Sequence, residues 1–180
     1  MPLNAKDMTG SSVLMCVDDE FRPLLLTGDQ RTVASAVMGW AEAGLTVRVV
    51  RGRKMRNLPG LFDEFSAALQ FPLYFGENED AFDECIADLE NLPAGEGYVV
   101  TITEPDQVLV EDAASLGWLV LSLSDAAEEW SRPVELGEWW DRAAVPFHVV
   151  LAGELATVLA AERRWTEAGA EPRPIEGPRS

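Results

Sequence analysis

Residues 73–90 read LYFGENEDAFDECIADLE, with seven acids (Glu77, Glu79, Asp80, Asp83, Glu84, Asp88 and Glu90) and no Lys, Arg or His. On a helix, at about 100° per residue, Phe82, Cys85, Ile86 and Leu89 fall at i, i+3, i+4 and i+7 and form one apolar stripe that must face a core. Asp80 and Glu84 then project together from the opposite side, with Asp83 on a flank. Asn78 stands where a helix needs its N-cap. Glu79 and Asp80 occupy the first turn, where the helix dipole favours negative charge. Glu84 lies too far along to gain from that dipole, and as an i, i+4 partner of Asp80 it costs roughly a few tenths of a kcal/mol. A helix selected for stability alone would carry lysine there.

The charge around this stretch is just as uneven. The formal net charge is -17, from 31 acids against 14 Lys and Arg. Residues 57–131 hold 17 acids and no base, so the rest of the chain has 31 − 17 = 14 acids against 14 bases. The whole excess sits in one central block. Phosphates would be repelled, so nucleic acid is not expected as a partner. A basic protein is the natural complement.

Outward from the acidic helix, strands alternate with helices. Residues 57–70, NLPGLFDEFSAALQ, space Leu61, Phe65, Ala68 and Leu69 helically, with Pro59 suited to a first turn. LTVRVVRG (45–52), GYVVTIT (97–103) and FHVVLAG (147–153) read as strands. SLGWLVLSLSDAAEEWSR (115–132) begins ambiguously, but Leu119, Leu123, Ala126 and Trp130 favour a helix. Residues 132–146 read as a loop or short helix.

Before position 45, VLMCV (13–17) and RPLLLTG (22–28) read as two short strands, and residues 1–12 as loose. DQRTVASAVMGWAEAG (29–44) reads as a helix capped by Asp29 and ended by Gly44. Its apolar face should pack on the rest of the chain, away from the acidic helix. ELATVLAAERRWTEA (154–168) reads as a closing helix and 171–180 as a disordered tail. The expected fold class is α/β: a small, mainly parallel β-sheet packed with helices, with an added N-terminal β/α segment and a C-terminal helix. The expected division is an N-terminal extension (1–44), a domain at 45–152, and a C-terminal helix and tail (153–180).

Hydrophobic residues at 47 % and charged residues at 25 % fit a soluble globular chain. No apolar run approaches the roughly 20 residues needed to span a bilayer, and the start shows no basic region followed by an apolar stretch. No membrane contact is expected. Cys16 and Cys85 are far apart and read as free thiols. A cytoplasmic location is the expectation.

Catalytic readings find little support. Asp80 and Glu84 could serve as an acid and base pair in glycoside hydrolysis, but the helical reading puts both on a convex face, and that chemistry needs a cleft. GENEDAFDE lacks the order of a calcium loop, and no Gly-rich phosphate loop is present. His148 is the one His, within an apolar strand, so zinc sites and Ser-His or Cys-His systems lack a second member. Cys85 lies on the core stripe and reads as packing. Neither a cofactor nor a metal is expected. Trp139 and Trp140, beside Glu138 and Asp141, offer an added contact patch.

The run FPLYFGENEDAFDECIADL (71–89) resembles the signature of the barstar family: an aromatic pair, Gly, an acid and Asn lead into a short acidic helix ending near a Cys. VRVVRGRKMRNLPGLFDEFSAAL (47–69) is similar to the family's first strand, turn and helix. YVVTIT resembles its second strand, LVLSLSDAAEEW (119–130) its long late helix and FHVVLA its last strand. The resemblance covers about 45–152, with an apparent insertion near 131–146.

It implies an intracellular inhibitor, not an enzyme, whose acidic helix and preceding loop plug the active site of a basic, secreted microbial ribonuclease in place of RNA phosphates. By position, Tyr74, beside Phe75, takes the place of the aromatic that packs on the ribonuclease. Asn78 starts the helix, and Asp80 matches an interface acid. Glu84 takes the place of the acid reaching furthest among the catalytic basic groups, and Asp125 that of a peripheral acid on the late helix. Glu84 stands where the archetype has the shorter Asp, Asp83 and Leu89 replace Trp residues, and Glu79 replaces an apolar one. Those departures keep the electrostatics and alter the shape. An acidic adaptor or immunity protein that neutralises another basic toxin domain or a nucleic-acid-binding protein would show the same charge block.

Overall fold

The apolar runs GYVVTIT and FHVVLAG become neighbouring strands buried on both faces, the usual condition inside a parallel sheet, while LTVRVVRG, whose Val49 is 41 % exposed, takes the edge beside them. The computed structural model describes residues 10–18, 20–93 and 95–177. In chain order the elements are α1 (Gly10–Leu14), β1 (Leu24–Thr27), α2 (Gln30–Glu42), β2 (Thr46–Arg51), α3 (Leu58–Leu69), α4 (Glu79–Asp88), β3 (Tyr98–Thr103), α5 (Leu116–Ser131), β4 (Phe147–Gly153), α6 (Leu155–Glu167) and β5 (Arg173–Pro174). One sheet takes the order β2-β3-β4-β1-β5, and every pairing is parallel. The α/β class with a small parallel sheet is the one expected.

Register fixes what each face carries. Tyr98, Val100 and Ile102 line up with Phe147, Val149 and Leu151, and this face packs against buried residues of α3, α4, α5 and α6. The alternate residues Val99, Val150 and Ala152, with Leu24 and Leu26 of β1, pack against Leu14 of α1 and Val33, Ala36 and Trp40 of α2. The N-terminal helices and the acidic helix α4 therefore cover opposite faces of the sheet. Among the described residues no helix is long and apolar enough to cross a membrane.

Two local expectations are corrected. VLMCV (13–17) is no strand: Gly10–Leu14 is helical and the chain then turns. The sheet edge beside β1 is already taken by β5, and Leu14 gains full burial by lying across the sheet face. The segment read as a disordered tail contributes that edge strand. The Arg173 N–H donates to the Pro23 carbonyl at 2.8 Å and the Ile175 N–H to the Leu25 carbonyl at 3.0 Å. Pro174, which has no N–H to give, falls between them, where an edge strand tolerates it. Of the stretch 1–12 expected to be loose, residues 1–9 lie outside the described residues, while 10–12 are helical as the first turn of α1.

His148 sits on the face covered by the N-terminal segment, 6 % exposed, with Nε2 at 2.9 Å from the Cys16 carbonyl. Burial pushes its pKa below the ordinary 6.5, so the ring is neutral and donates its N–H to that carbonyl.

Candidate partner-binding site

Local chemistry sets the start of α4. The Asn78 backbone is extended, and its Oδ1 accepts from the Ala81 N–H at 2.9 Å. Its amide group reaches back to the Gly76 carbonyl at 3.2 Å. A Cβ on Gly76 would lie 2.9 Å from that amide nitrogen, so a side chain there would push the Asn78 amide aside. Leu89 ends the helix in the left-handed region, donating to the Cys85 carbonyl while its side chain stays buried.

Below the helix lies an aromatic platform. Phe82 is fully buried and meets Phe65 edge-on at 5.1 Å, Phe71 at 5.9 Å and Trp118 at 5.3 Å. Phe75, half-buried, packs on Phe71 at 5.1 Å and Phe62 at 5.9 Å. These contacts pack α4 and its leading loop on α3 and α5 and set which way the acids face.

Outside residues 73–90, five of the ten acids of the central block are ion-paired. Arg51 holds Glu64 at 2.6 Å, Arg53 holds Glu104 at 3.0 Å and Arg56 holds Glu111 at 2.8 Å. Arg132 pairs with Glu128, and Arg142 approaches Glu129 at 3.9 Å. Bases flanking the block thus fold back onto it. Among the described residues none of the seven acids of 73–90 makes an ion pair.

Asp80, Asp83 and Glu84 are exposed, as the helical spacing requires. Tyr74 is 78 % exposed, and its hydroxyl donates to Glu90 at 3.3 Å. The Glu90 charge raises the Tyr74 pKa. Phe75 faces inward as support. Two depressions flank α4. The smaller, about 80 Å³, lies between α4 and the 69–74 stretch and joins Tyr74 to Glu84. The larger, about 730 Å³, lies between α4 and α5 and joins Asp83 and Glu84 to Asp125. Glu84 is on the ridge between them. Asp80 lines neither. Cys85 is 8 % exposed, and burial pushes its thiol pKa up, so it is packing and not a nucleophile.

Four further residues belong to this surface. Asp88 and Glu129 line the larger cleft, with Ser122 and Trp140. Burial and then the nearby Glu90 push the Asp88 pKa up, although the residue as a whole is exposed. A signal for the two acids is present in the sequence: Glu84 and Asp88 are spaced i, i+4, and so are Asp125 and Glu129, so adjacent helices bring two rows together.

Residues 45–152 match the family model for Barstar (barnase inhibitor), and the chain belongs to that family. The family is one of inhibitors, not enzymes. β2, α3, α4, β3 and α5 lie within the match, while α1, β1, α2, α6 and β5 lie outside it. No curated protein matches the chain. Chains in three solved Drosophila ORC structures are similar. The one bound to GC-rich DNA and Cdc6 has 13 % identity, a TM-score of 0.47, and coverage of 89 % of this chain and 50 % of that one. The one bound to AT-rich DNA and Cdc6 has 14 %, 0.44, 87 % and 51 %. The one bound to DNA has 12 %, 0.45, 93 % and 87 %. This chain spans about half the length of the first two. At that level they speak to neither fold nor function.

Proposed function

We propose that this protein inhibits a basic microbial ribonuclease inside the cell, one molecule to one, by seating α4 and the 73–78 loop in the enzyme's active site. The observation that carries the reading is the unpaired charge of residues 73–90, displayed on a helix whose orientation an aromatic platform fixes. Carboxylates left without internal cations are complementary to the cationic groups that bind RNA phosphates. Glu84 reaches among those groups, Asp80 and Asp83 flank it, and Asp125 closes on the side of α5. Tyr74 lies against the enzyme. Phe75 and Asn78 hold the loop and helix start in shape. No turnover and no cofactor enter the mechanism.

The segments at 10–44 and 153–177 complete the sheet and stand apart from the contact surface. Charge steering of association is known for barnase–barstar, the archetype pair of this family. The test is the association rate with a barnase-type ribonuclease at low and high salt. Screening over roughly 8 Å at physiological ionic strength should make the rate fall steeply. A flat rate would remove the steering argument.

A further inference from the structure

The loop that joins α5 to β4 holds three large apolar side chains in water. Leu136, Trp139 and Trp140 are 70 %, 89 % and 50 % exposed, and the two indoles meet edge-to-face at 5.4 Å. One exposed apolar side chain needs no explanation, but three within five residues do.

The loop is fixed, not slack. Val134 and Arg142 exchange backbone hydrogen bonds at 2.8 and 3.0 Å, and the Val145 N–H donates to the Trp130 carbonyl at 2.8 Å, tying the return arm to the end of α5. At the tip, Asp141 accepts from the N–H groups of Leu136 at 2.9 Å and Gly137 at 2.7 Å. Its own N–H donates to the Glu138 carbonyl at 3.1 Å. Gly137 makes the turn with φ of +79°, a backbone that favours glycine. The tip is therefore ordered on folding, and binding need not order it again.

Charge and position say what meets this tip. Glu135 and Glu138 are exposed and make no ion pair. The nearby bases are engaged: Arg132 pairs with Glu128, and Arg142 donates to the Arg132 and Glu129 carbonyls at 2.8 and 3.2 Å. The apolar tip is thus rimmed by unpaired negative charge. A second copy of this chain, bringing the same acids and a net charge of -17, would be repelled, and a basic protein attracted. The loop also adjoins the acidic surface: Val134 and Trp140 border the same depression as Asp83 and Glu84 of α4. A protein seated on α4 has the tip within reach.

We propose that the 133–142 loop is a second contact for the basic partner, with Trp139 as its main apolar anchor and Leu136 as a lesser one, both buried against an apolar patch of the partner beside the cationic groups that take α4. The inference rests on the ribonuclease reading and deepens it. Charge on α4 attracts any basic ribonuclease, whereas Trp139 selects those with an apolar patch at that place. The two contacts act on different rates. Carboxylates act at a distance and set how fast the complex forms, with a steep salt dependence. Apolar burial is short-ranged and sets how slowly the complex comes apart.

The test is the binding kinetics of the full chain with a barnase-type ribonuclease at low and high salt, for the parent, Trp139→Ala, Leu136→Ala and Glu84→Ala. Trp139→Ala should raise the dissociation rate about tenfold or more. Leu136→Ala should do so to a smaller extent, and Trp139→Phe should recover part of the loss. None of the three should change the association rate, its salt dependence or the thermal melt. Asp141→Ala, which frees the loop and leaves Trp139 in place, should also weaken binding. Dissociation rates equal to the parent's in Trp139→Ala and Leu136→Ala, with binding lost in Glu84→Ala, would overturn the loop contact and leave the ribonuclease reading standing. A parent that binds no ribonuclease would remove that reading and this inference with it. Sedimentation of the free protein is the second measurement, and a monomer is expected. A dimer that Trp139→Ala dissolves would give the tip to a second copy and overturn the inference.

Discussion

The indole N–H of Trp130 donates to the backbone carbonyl of Ile86 at 3.2 Å. Trp130 is the penultimate residue of α5, and Ile86 lies in the last turn of α4, so this bond ties the two acid-bearing helices together at one end. The Arg142 guanidinium lies over the same Trp130 ring, 4.6 Å from its centroid. The separation of Glu84 and Asp88 from Asp125 and Glu129 is therefore set by a core contact.

Trp130→Phe keeps an aromatic beside Tyr98, which it meets at 5.0 Å, but removes the donor and some buried surface. Stability should fall by about 1–3 kcal/mol, read from urea unfolding. A variant as stable as the parent would mean that the bond does not hold the helices.

Glu84→Ala should leave stability nearly unchanged or slightly raised, because it removes a like-charge neighbour of Asp80 and Asp88. Binding to a barnase-type ribonuclease should weaken by at least ~2 kcal/mol, as expected for a desolvated charge among cations. Glu84→Gln should lose much of that energy with little change in shape. Calorimetry checks both, with thermal melts as the control.

His148 predicts a pH dependence. Its folded pKa lies below the unfolded value of 6.5. Above that value the ring is neutral in both states and its contribution is intact. As pH falls below it, the unfolded chain binds the proton first, and stability drains away until the lower folded pKa is reached. Urea midpoints at pH 7.5 and 5.5 should show a loss in the parent that is smaller in His148→Gln. Equal losses in both would assign the pH dependence to other groups.

Deleting residues 1–44 removes β1 from between β4 and β5 and uncovers Val99, Val150 and Ala152. We expect that truncation to aggregate or to lose cooperative unfolding. A soluble 45–180 fragment with a sharp melt would show instead that the matched region stands alone.

What the sequence made legible follows from how local each signal is. Helix α4 could be placed because its cap, Asn78, and its stripe, Phe82, Cys85, Ile86 and Leu89, all lie within 12 residues. Strands β2, β3 and β4 announce themselves as β-branched runs. VLMCV misleads because a short apolar run has no period of its own, and what decides it is which sheet edge is free. Arg173–Pro174 joins an edge because Pro174 meets a position that needs no donor, a fact of register. The paired state of Glu64, Glu104 and Glu111 depends on arginines 13 to 55 residues away. The α4–α5 cleft needs the adjacency of two helices separated by β3. Of its lining, only the acids on the outward faces were within reach of a helical wheel.

Inhibition itself gives the most direct test. Fixed barnase-type ribonuclease should be titrated with this protein at physiological salt while RNA cleavage is followed. Cleavage should fall linearly and end at one molecule of protein per molecule of enzyme, and Glu84→Ala should blunt that endpoint. Undiminished cleavage at a large excess of well-folded protein, against every basic ribonuclease tried, would contradict the account.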